Sequence, residues 1–66
     1  MNLTERELDV VRAAARGLTN SEIAAKLSMS QSSAKAHLAA AQRKLGVRNR
    51  VETTAWAWKN GLMRGG

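Results

Sequence analysis

The chain has 66 residues, and its 11 Lys and Arg against 5 Asp and Glu give a formal charge of +6. A chain of this length forms at most one domain with a small core, so residues 1–66 are expected to be a single unit. It contains no Cys and one His, which excludes disulfides and a metal site of several Cys or His ligands, and no apolar run approaches the roughly 20 residues of a membrane span.

The first two helices are predicted from capping boxes at their starts. Each is a Thr followed three residues later by a Glu: Thr4 and Glu7, then Thr19 and Glu22. In such a pair the hydroxyl accepts a hydrogen bond from an orphan backbone amide, and the Glu side chain accepts one from the amide of the cap. These signals, with a glycine after the first helix, predict helices over 4–16 and 20–27.

The third predicted helix has one buried face and one outward face. It begins after Ser30, a cap without a Glu partner, and ends before Gly46, which predicts a helix over 31–45. At about 100° per residue, four apolar side chains lie close together on one side of the helix and form the buried stripe. The stripe consists of Ala34, Leu38, Ala41 and Leu45. The opposite face and its edge combine small with long polar or cationic side chains: Ser32, Lys35, Ala36, Ala39, Gln42 and Arg43.

The outward face of the third helix has the features of a groove-binding surface. It contains no acid, whereas a solvated helix face usually mixes Glu with Lys. Small side chains let the helix backbone approach a surface closely while long flanking side chains contact the walls, and a DNA major groove about 12 Å wide has this requirement. The second helix leads into the third through the short turn 28–30, so the two have the helix-turn-helix arrangement.

The fourth helix is predicted over 49–60, from the Asn variant of a capping box, Asn49 with Glu52, to a stop at Gly61. It is apolar on two sides. One side holds Thr53, Thr54 and Ala57, and the other holds Val51, Ala55, Trp58 and Leu62. Such a helix has one side for its own core and one for a partner, and indoles are favoured at interfaces. We therefore expect a homodimer contact from Val51, Ala55, Trp56 and Trp58. The alternative is that both indoles pack on the domain's own core.

The positive charge is concentrated in the middle of the chain. Residues 23–51 contain no Asp or Glu and six basic residues: Lys26, Lys35, Arg43, Lys44, Arg48 and Arg50. Such a block is typical of a phosphate-binding surface, and the alternative is a solvated basic face without a partner. No segment has the alternation of a strand. The sequence thus predicts an all-α, four-helix domain whose first expected partner is nucleic acid and whose second is a membrane surface.

Several segments of the chain match the motifs of one known family. They are Leu3-Thr4-Glu5-Arg6-Glu7, Gly17-Leu18-Thr19-Asn20-Ser21-Glu22-Ile23-Ala24, Ser33-Ala34-Lys35-Ala36-His37-Leu38, Lys44-Leu45-Gly46-Val47 and Asn49-Arg50-Val51-Glu52. From Leu3 to Leu62 the chain resembles the LuxR-type (GerE) helix-turn-helix domain. The resemblance implies a tri-helical core plus a C-terminal dimerisation helix, which binds double-stranded DNA as a dimer. It also implies a cytoplasmic, nucleoid-associated transcription regulator, usually the C-terminal output half of a response regulator or ligand-sensing regulator.

The resemblance further implies DNA-binding roles for individual positions of the third helix. Three of them face base edges: Lys35, Ala36 and Ala39. Two lie near the backbone phosphates: Ser33 and His37. Position 39 is often long and polar or basic in the family, and position 36 is often Val. Base readout here is therefore expected to rest on Lys35 and on methyl contacts, with Arg43 reaching into the groove.

Other DNA contacts are predicted from position and charge. Ser30 caps a helix whose first turn has no acid, which is a favourable phosphate site, and Ser32 lies on the outward face. Three basic residues are expected to contact the phosphate backbone: Lys44, Arg48 and Arg50. The alternatives are a capping role alone for Ser30, a partly buried structural role for His37, and plain surface charge for the three basic residues.

Other functions are less well supported by the sequence. General acid–base catalysis needs paired groups in a pocket, but the acids here lie at helix starts, so no enzyme, cofactor, metal or small-molecule ligand is expected. The main alternative is a protein-interaction module that contacts RNA polymerase or another regulator through the last helix. Binding at a membrane surface is disfavoured because the third helix has too little bulky apolar area.

Overall fold

The computed structural model of the protein describes residues 2–64, in which there are four helices and no strand. They are α1 (Glu5–Ala15), α2 (Asn20–Leu27), α3 (Gln31–Leu45) and α4 (Arg50–Lys59). The predicted all-α, four-helix class is confirmed. Met1, Gly65 and Gly66, the ends of the predicted domain, lie outside the described residues.

The bounds of α1 and α4 are each one residue shorter at both ends than the predicted ranges 4–16 and 49–60. The reason is that the outermost residues are caps. Thr4 and Asn49 have extended backbones and precede the first helical residue, and Arg16 and Asn60 follow the last one. The bounds of α2 and α3 coincide with the predicted ranges.

Both predicted Thr–Glu capping boxes are present. Thr4 Oγ1 accepts from the Glu7 amide at 3.1 Å, and Glu7 Oε1 accepts from the Thr4 amide at 2.9 Å. Thr19 and Glu22 make the same two bonds at 3.2 Å and 2.8 Å. Each box satisfies amide groups that the start of a helix leaves without an intrahelical partner.

The capping box predicted for Asn49 and Glu52 at the start of α4 is formed only in part. Asn49 Oδ1 accepts from the Glu52 amide at 2.9 Å, but the Glu52 carboxylate accepts from the Arg48 amide, at 2.8 Å, rather than from the amide of Asn49. The backbone of Asn49 is more extended, with φ −157°, than that of the Thr caps, with φ near −73°. The chain therefore enters α4 at a different angle and presents the amide of the preceding residue to Glu52.

The helices pack around α1 in two apolar clusters. The first joins α1 to α2 and α3, and contains Val10, Ala13, Ala14, Ile23, Ala24, Ala34 and Leu38. The second joins α1 to α3, α4 and the segment that follows α4, and contains Val11, Ala41, Ala57 and Met63. Most of these side chains are small, so the helices approach one another closely. As a result, the α2–α3 pair and α4 are both anchored on α1.

Candidate nucleic-acid interface

The buried face of α3 is the predicted one, and it fixes which side of the helix faces outward. Ala34 and Ala41 are fully buried, Leu38 is buried and Leu45 is half-buried. Ala34 and Leu38 pack with α1 and α2, and Ala41 packs with α1 and α4, so the opposite side faces away from the core. The exposed residues on that side and along its edge are Ser32, Lys35, Ala36 and Arg43, and Ala39 is half-buried beside them.

The outward face of α3 carries positive charge that no acid neutralises. No ion pair in residues 2–64 involves Lys35 or Arg43. The exposed Lys26 of α2 is likewise without a carboxylate partner in the described part of the chain. Three cations on the helix-turn-helix pair thus keep their full charge available for an anion.

The first turn of α3 combines a hydroxyl cap with an acid-free helix start. Ser30 Oγ accepts from the Ser33 amide at 3.0 Å and donates to Ser33 Oγ at 3.1 Å. Ser30 and Ser32 are exposed, Ser33 is half-buried, and the turn contains no carboxylate. The hydroxyls and the positive end of the helix dipole therefore face solvent, as a phosphate contact requires. His37, one turn further on, is half-buried.

Lys44 is placed against α1 rather than pointing freely into solvent. Its Nζ donates to Glu7 Oε1 at 2.8 Å and to the Asn2 carbonyl at 3.1 Å. Glu7 is only 5% exposed, so the ammonium neutralises a buried carboxylate. The hydrogen bonds from Lys44 and from the Thr4 backbone hold the pKa of Glu7 below its ordinary value of 4.5, against the opposing effect of burial.

Arg50, predicted at the phosphate backbone, makes hydrogen bonds within the protein. Its guanidinium points into the protein, where Nη1 donates to the Leu18 carbonyl at 3.0 Å and Nη2 donates to Asn20 Oδ1. Oxygen acceptors on the α1–α2 loop and at the start of α2 fit the planar fork of the guanidinium. This side chain therefore joins α4 to the helix-turn-helix pair.

Arg48 remains available at the surface. Its side chain is 86% exposed, and its only ion pair among the described residues is with Glu52, at 3.4 Å. A surface pair of this kind stabilises by at most about 1 kcal/mol and is easily exchanged for another anion. Of the three basic residues predicted at the phosphate backbone, Arg48 has the most exposed side chain, Lys44 is exposed but bonded to Glu7, and Arg50 is half-buried.

The four residues predicted at a dimer contact divide into two groups. Val51 is 79% exposed and Trp58 is 61% exposed, and Ala55 is exposed between them. Trp56 instead is half-buried and packs against the second core cluster. The expectation for an outward apolar side thus applies to three residues, and the alternative, packing on the domain's own core, applies to Trp56.

Two residues that join the helices were not predicted as partners. Asn20 holds Arg50, and Thr53, fully buried, accepts a hydrogen bond from Gln42 Nε2 at 3.0 Å. Gln42 had been placed on the edge of the outward face, but it turns toward α4. The partners in these bonds lie 30 and 11 residues apart in the sequence, so no local spacing indicates them.

Neither a membrane span nor a metal site is found in the described residues. No helix between residues 2 and 64 has the length and apolar character needed to cross a membrane. The same stretch contains no group of three or more His, Cys, Asp and Glu side chains placed to hold a metal ion.

Comparison with known proteins gives one family. The family model GerE, described as "Bacterial regulatory proteins, luxR family", matches residues 1–57. The nitrate/nitrite response regulator protein NarP of Escherichia coli K12 is 50% identical over 52 residues, which are 79% of this chain and 24% of that protein. Response regulator RamR of Streptomyces coelicolor is 46% identical over 52 residues, 79% of this chain and 26% of that protein.

A third relative, the nitrate/nitrite response regulator protein NarL of Escherichia coli K12, is 37% identical over 54 residues, 82% of this chain and 25% of that protein. The chain therefore spans about a quarter of the length of these curated relatives. No solved structure matches the chain at a significant level.

Proposed function

Because the chain belongs to the luxR family of bacterial regulatory proteins, whose domain binds DNA in transcription regulation, we propose that it binds double-stranded DNA sequence-specifically as a homodimer. In this proposal residues 1–66 form one DNA-binding unit, α3 lies in the major groove, and the site is an inverted repeat. We further propose that the chain acts at the nucleoid in the cytoplasm as the output part of a response regulator, the class to which its relatives belong by name.

The observation that carries the proposal is the outward face of α3. It is free of acids, it is small at Ala36 and Ala39, and it carries the unpaired cations Lys35 and Arg43. Lys35 is proposed to donate to guanine O6 and N7, a contact that discriminates against other bases by about 1–3 kcal/mol. The methyl groups of the two Ala residues contact base edges, and Arg43 reaches in from the next turn.

Phosphate contacts supply the affinity in this proposal. They come from the hydroxyls at the start of α3, from His37 and from the exposed guanidinium of Arg48. These hydroxyls belong to Ser30, Ser32 and Ser33. Lys44 and Arg50, which bond inward, support the surface from behind. If about five phosphates are neutralised per protomer, log K falls with log salt at a slope of about −4.5, from about −0.9 for each phosphate.

The dimer contact is proposed on the outward apolar side of α4, formed by Val51, Ala55 and Trp58. A two-fold dimer makes the same contact from both subunits and so places the two α3 helices symmetrically. Such a dimer reads two half-sites in opposite orientation, with centres about one helical turn of DNA apart.

A second candidate function rests on the same exposed side of α4. With Val51 79% and Trp58 61% exposed, this side also suits a different protein partner, such as RNA polymerase or another regulator. A mobility shift with duplex DNA separates the two candidates, because a module that only binds protein does not retard the duplex.

The proposed function is tested by selecting bound sequences from random duplexes and footprinting them with two variants. We expect Lys35→Ala to lose discrimination at one base position while it still binds DNA. We expect Arg48→Ala to weaken binding to all sequences alike and to lower the salt slope by about 0.9. Protection or chemical-shift changes that leave Ser32–Arg43 unaffected would refute the proposal.

A further inference from the structure

Arg50 makes two hydrogen bonds that connect α4 to the start of α2 and to the loop before it. It is the first residue of α4, it is half-buried, and its two terminal nitrogens donate to the Leu18 carbonyl and to Asn20 Oδ1. Both acceptors belong to fixed positions. Leu18 packs against the first core cluster, and Asn20 is the first residue of α2. The guanidinium therefore holds the start of α4 against the start of the helix-turn-helix pair.

A second connection runs from α3 to α4. Gln42 Nε2 donates to Thr53 Oγ1 at 3.0 Å, and the Thr53 hydroxyl donates to the Asn49 carbonyl at 2.7 Å. Thr53 is fully buried, so this short chain of bonds is shielded from water. Among residues 2–64, the side-chain hydrogen bonds that join α4 to α2 or α3, or to the loop before α2, are those of Arg50 and Gln42.

The apolar clusters, which include a contact between α3 and α4 through Ala41 and Ala57, hold these parts together, and the polar contacts add directionality. The α2–α3 pair belongs mainly to the first cluster, and α4 to the second, and both clusters are centred on α1. Small Ala and Val side chains make up most of both clusters and have no directional preference. A bidentate guanidinium contact, in contrast, fixes both distance and orientation.

We propose that Arg50 is a positioning residue that sets the angle between the DNA-reading pair, α2–α3, and the dimer helix α4. In a two-fold dimer that angle determines how far apart and how rotated the two α3 helices are. Arg50 thus determines which half-site spacing the dimer accepts, without itself contacting DNA. The inference rests on the proposed function, because it presupposes DNA binding through α3 and a dimer through α4.

The rival role for Arg50 is a phosphate contact, and two variants separate the roles. Arg50→Lys keeps the positive charge but loses the planar fork, so a phosphate contact would survive in it and a bidentate connection would not. Asn20→Ala removes one acceptor and changes no charge. If Arg50 positions α4, the two substitutions have the same effect, and the double variant has no larger effect than either alone.

The test is to measure binding of the full chain to a series of inverted repeats and to a single half-site. The repeats differ only in spacing, with half-site centres about 8–12 base pairs apart, around the roughly 10 base pairs of one helical turn. The proteins are the wild type, Arg50→Lys, Asn20→Ala and the double variant, with Arg6→Lys, at an exposed position of α1, as the matched control. Circular dichroism before and after the titrations establishes that each variant is folded.

We expect the wild type to prefer its best spacing over the others by about tenfold or more, and Arg50→Lys and Asn20→Ala to reduce that preference to about threefold or less. Their affinity for the single half-site should stay within about twofold, and Arg6→Lys should keep the spacing preference. A change in spacing preference at constant half-site affinity is not produced by a general loss of stability.

Three results would overturn the inference. If Arg50→Lys and Asn20→Ala both keep a sharp spacing preference, Arg50 does not set the angle, and the proposed function stands. If Arg50→Lys behaves as the wild type while Arg50→Met weakens all sites and lowers the salt slope by about 0.9, Arg50 contacts a phosphate. If the wild type has no spacing preference, the inference fails together with the dimer part of the proposed function. Should Arg50→Lys not fold, Asn20→Ala alone decides.

Discussion

Glu7 combines three structural roles in one buried carboxylate. It accepts from the Thr4 amide in a capping box, it lies in the first turn of α1 near the positive end of the helix dipole, and it is paired with Lys44 of α3. A buried charge is tolerated only when it is paired and hydrogen-bonded, and no buried side-chain polar atom in residues 2–64 lacks a partner. The residue therefore fixes the contact between α1 and the C-terminal half of α3.

The lowered pKa of Glu7 predicts a specific dependence of stability on pH. The ionised form is favoured in the folded state, so its contribution is fully present above the ordinary pKa of 4.5 and is lost as the pH falls from there through the lower, folded-state pKa. Glu7→Gln should be less stable than the wild type at pH 7, and the difference should shrink in this acidic window. The measurement is denaturant unfolding at a series of pH values, with the exposed Glu5→Gln as control. A difference that stays constant down to pH 2 would contradict the prediction.

The turn between α2 and α3 contains a strained backbone conformation at Ser28. Ser28 has φ 55° and ψ 49°, a left-handed conformation that non-glycine residues seldom adopt, and it is the only non-glycine residue with positive φ in the described chain. The turn is closed by a bond from the Met29 amide to the Ala24 carbonyl at 3.0 Å. This turn joins the two helices, and the packing around it keeps Ser28 in a left-handed conformation that its Cβ disfavours.

Replacing Ser28 by Gly should stabilise the fold. Gly adopts left-handed backbone angles without the steric penalty of roughly 1–2 kcal/mol that a Cβ causes, and its larger entropy in the unfolded chain offsets part of the gain. We expect the free energy of unfolding to rise by about 0.5–1 kcal/mol, which corresponds to a few degrees in Tm for a domain of this size. Ser28→Ala keeps the penalty and is the control. If Ser28→Gly melts no higher than Ser28→Ala, the turn is not strained.

At the scale of the whole molecule, α1 lies at the centre of the fold and packs against the α2–α3 pair and against α4. On one side it supports the α2–α3 pair, and on the other it supports α4. Because α4 is anchored by Thr53, Ala57 and the half-buried Trp56, its opposite side is left outward with Val51 and Trp58. Packing on α1 thus leaves a basic surface of α3 and an apolar surface of α4 exposed on the same small domain.

The two Trp residues of α4 should behave differently when truncated. Trp58→Ala should weaken the dimer by about thirtyfold or more, because an indole buried at the centre of an interface contributes about 2 kcal/mol or more, while the monomer stays folded. Trp56→Ala should mainly lower the free energy of unfolding, because this indole packs on the second core cluster. Analytical sedimentation measures the first effect and thermal melting the second, with Lys59→Ala as the exposed control on α4. An unchanged monomer–dimer distribution in Trp58→Ala would refute the dimer role of this surface.

Local patterns in the sequence were sufficient to predict the four helices, most of their caps and the family. Capping boxes, helix stops and the apolar stripe of α3 depend on residues within one or two turns of each other, so the chemistry that forms them is visible locally. The buried stripe from Ala34 to Ala41 was predicted for this reason, and the motifs led to the family that the comparison confirms. The acid-free outward face of α3 followed directly, because once one face of a helix is buried the other must face out.

Which cations are bonded within the protein, and which apolar side of α4 is buried, depends on contacts between distant parts of the chain. Lys44 meets Glu7 across 37 residues and Arg50 meets Asn20 across 30, and such pairings arise only when α1 brings the helices together. From charge alone, Lys44, Arg48 and Arg50 are equivalent, yet Lys44 and Arg50 bond to distant parts of the chain, whereas Arg48 pairs with the nearby Glu52. The physical reason is that a cation's role depends on the acceptors within about 3 Å of it, and those acceptors come from distant parts of the chain.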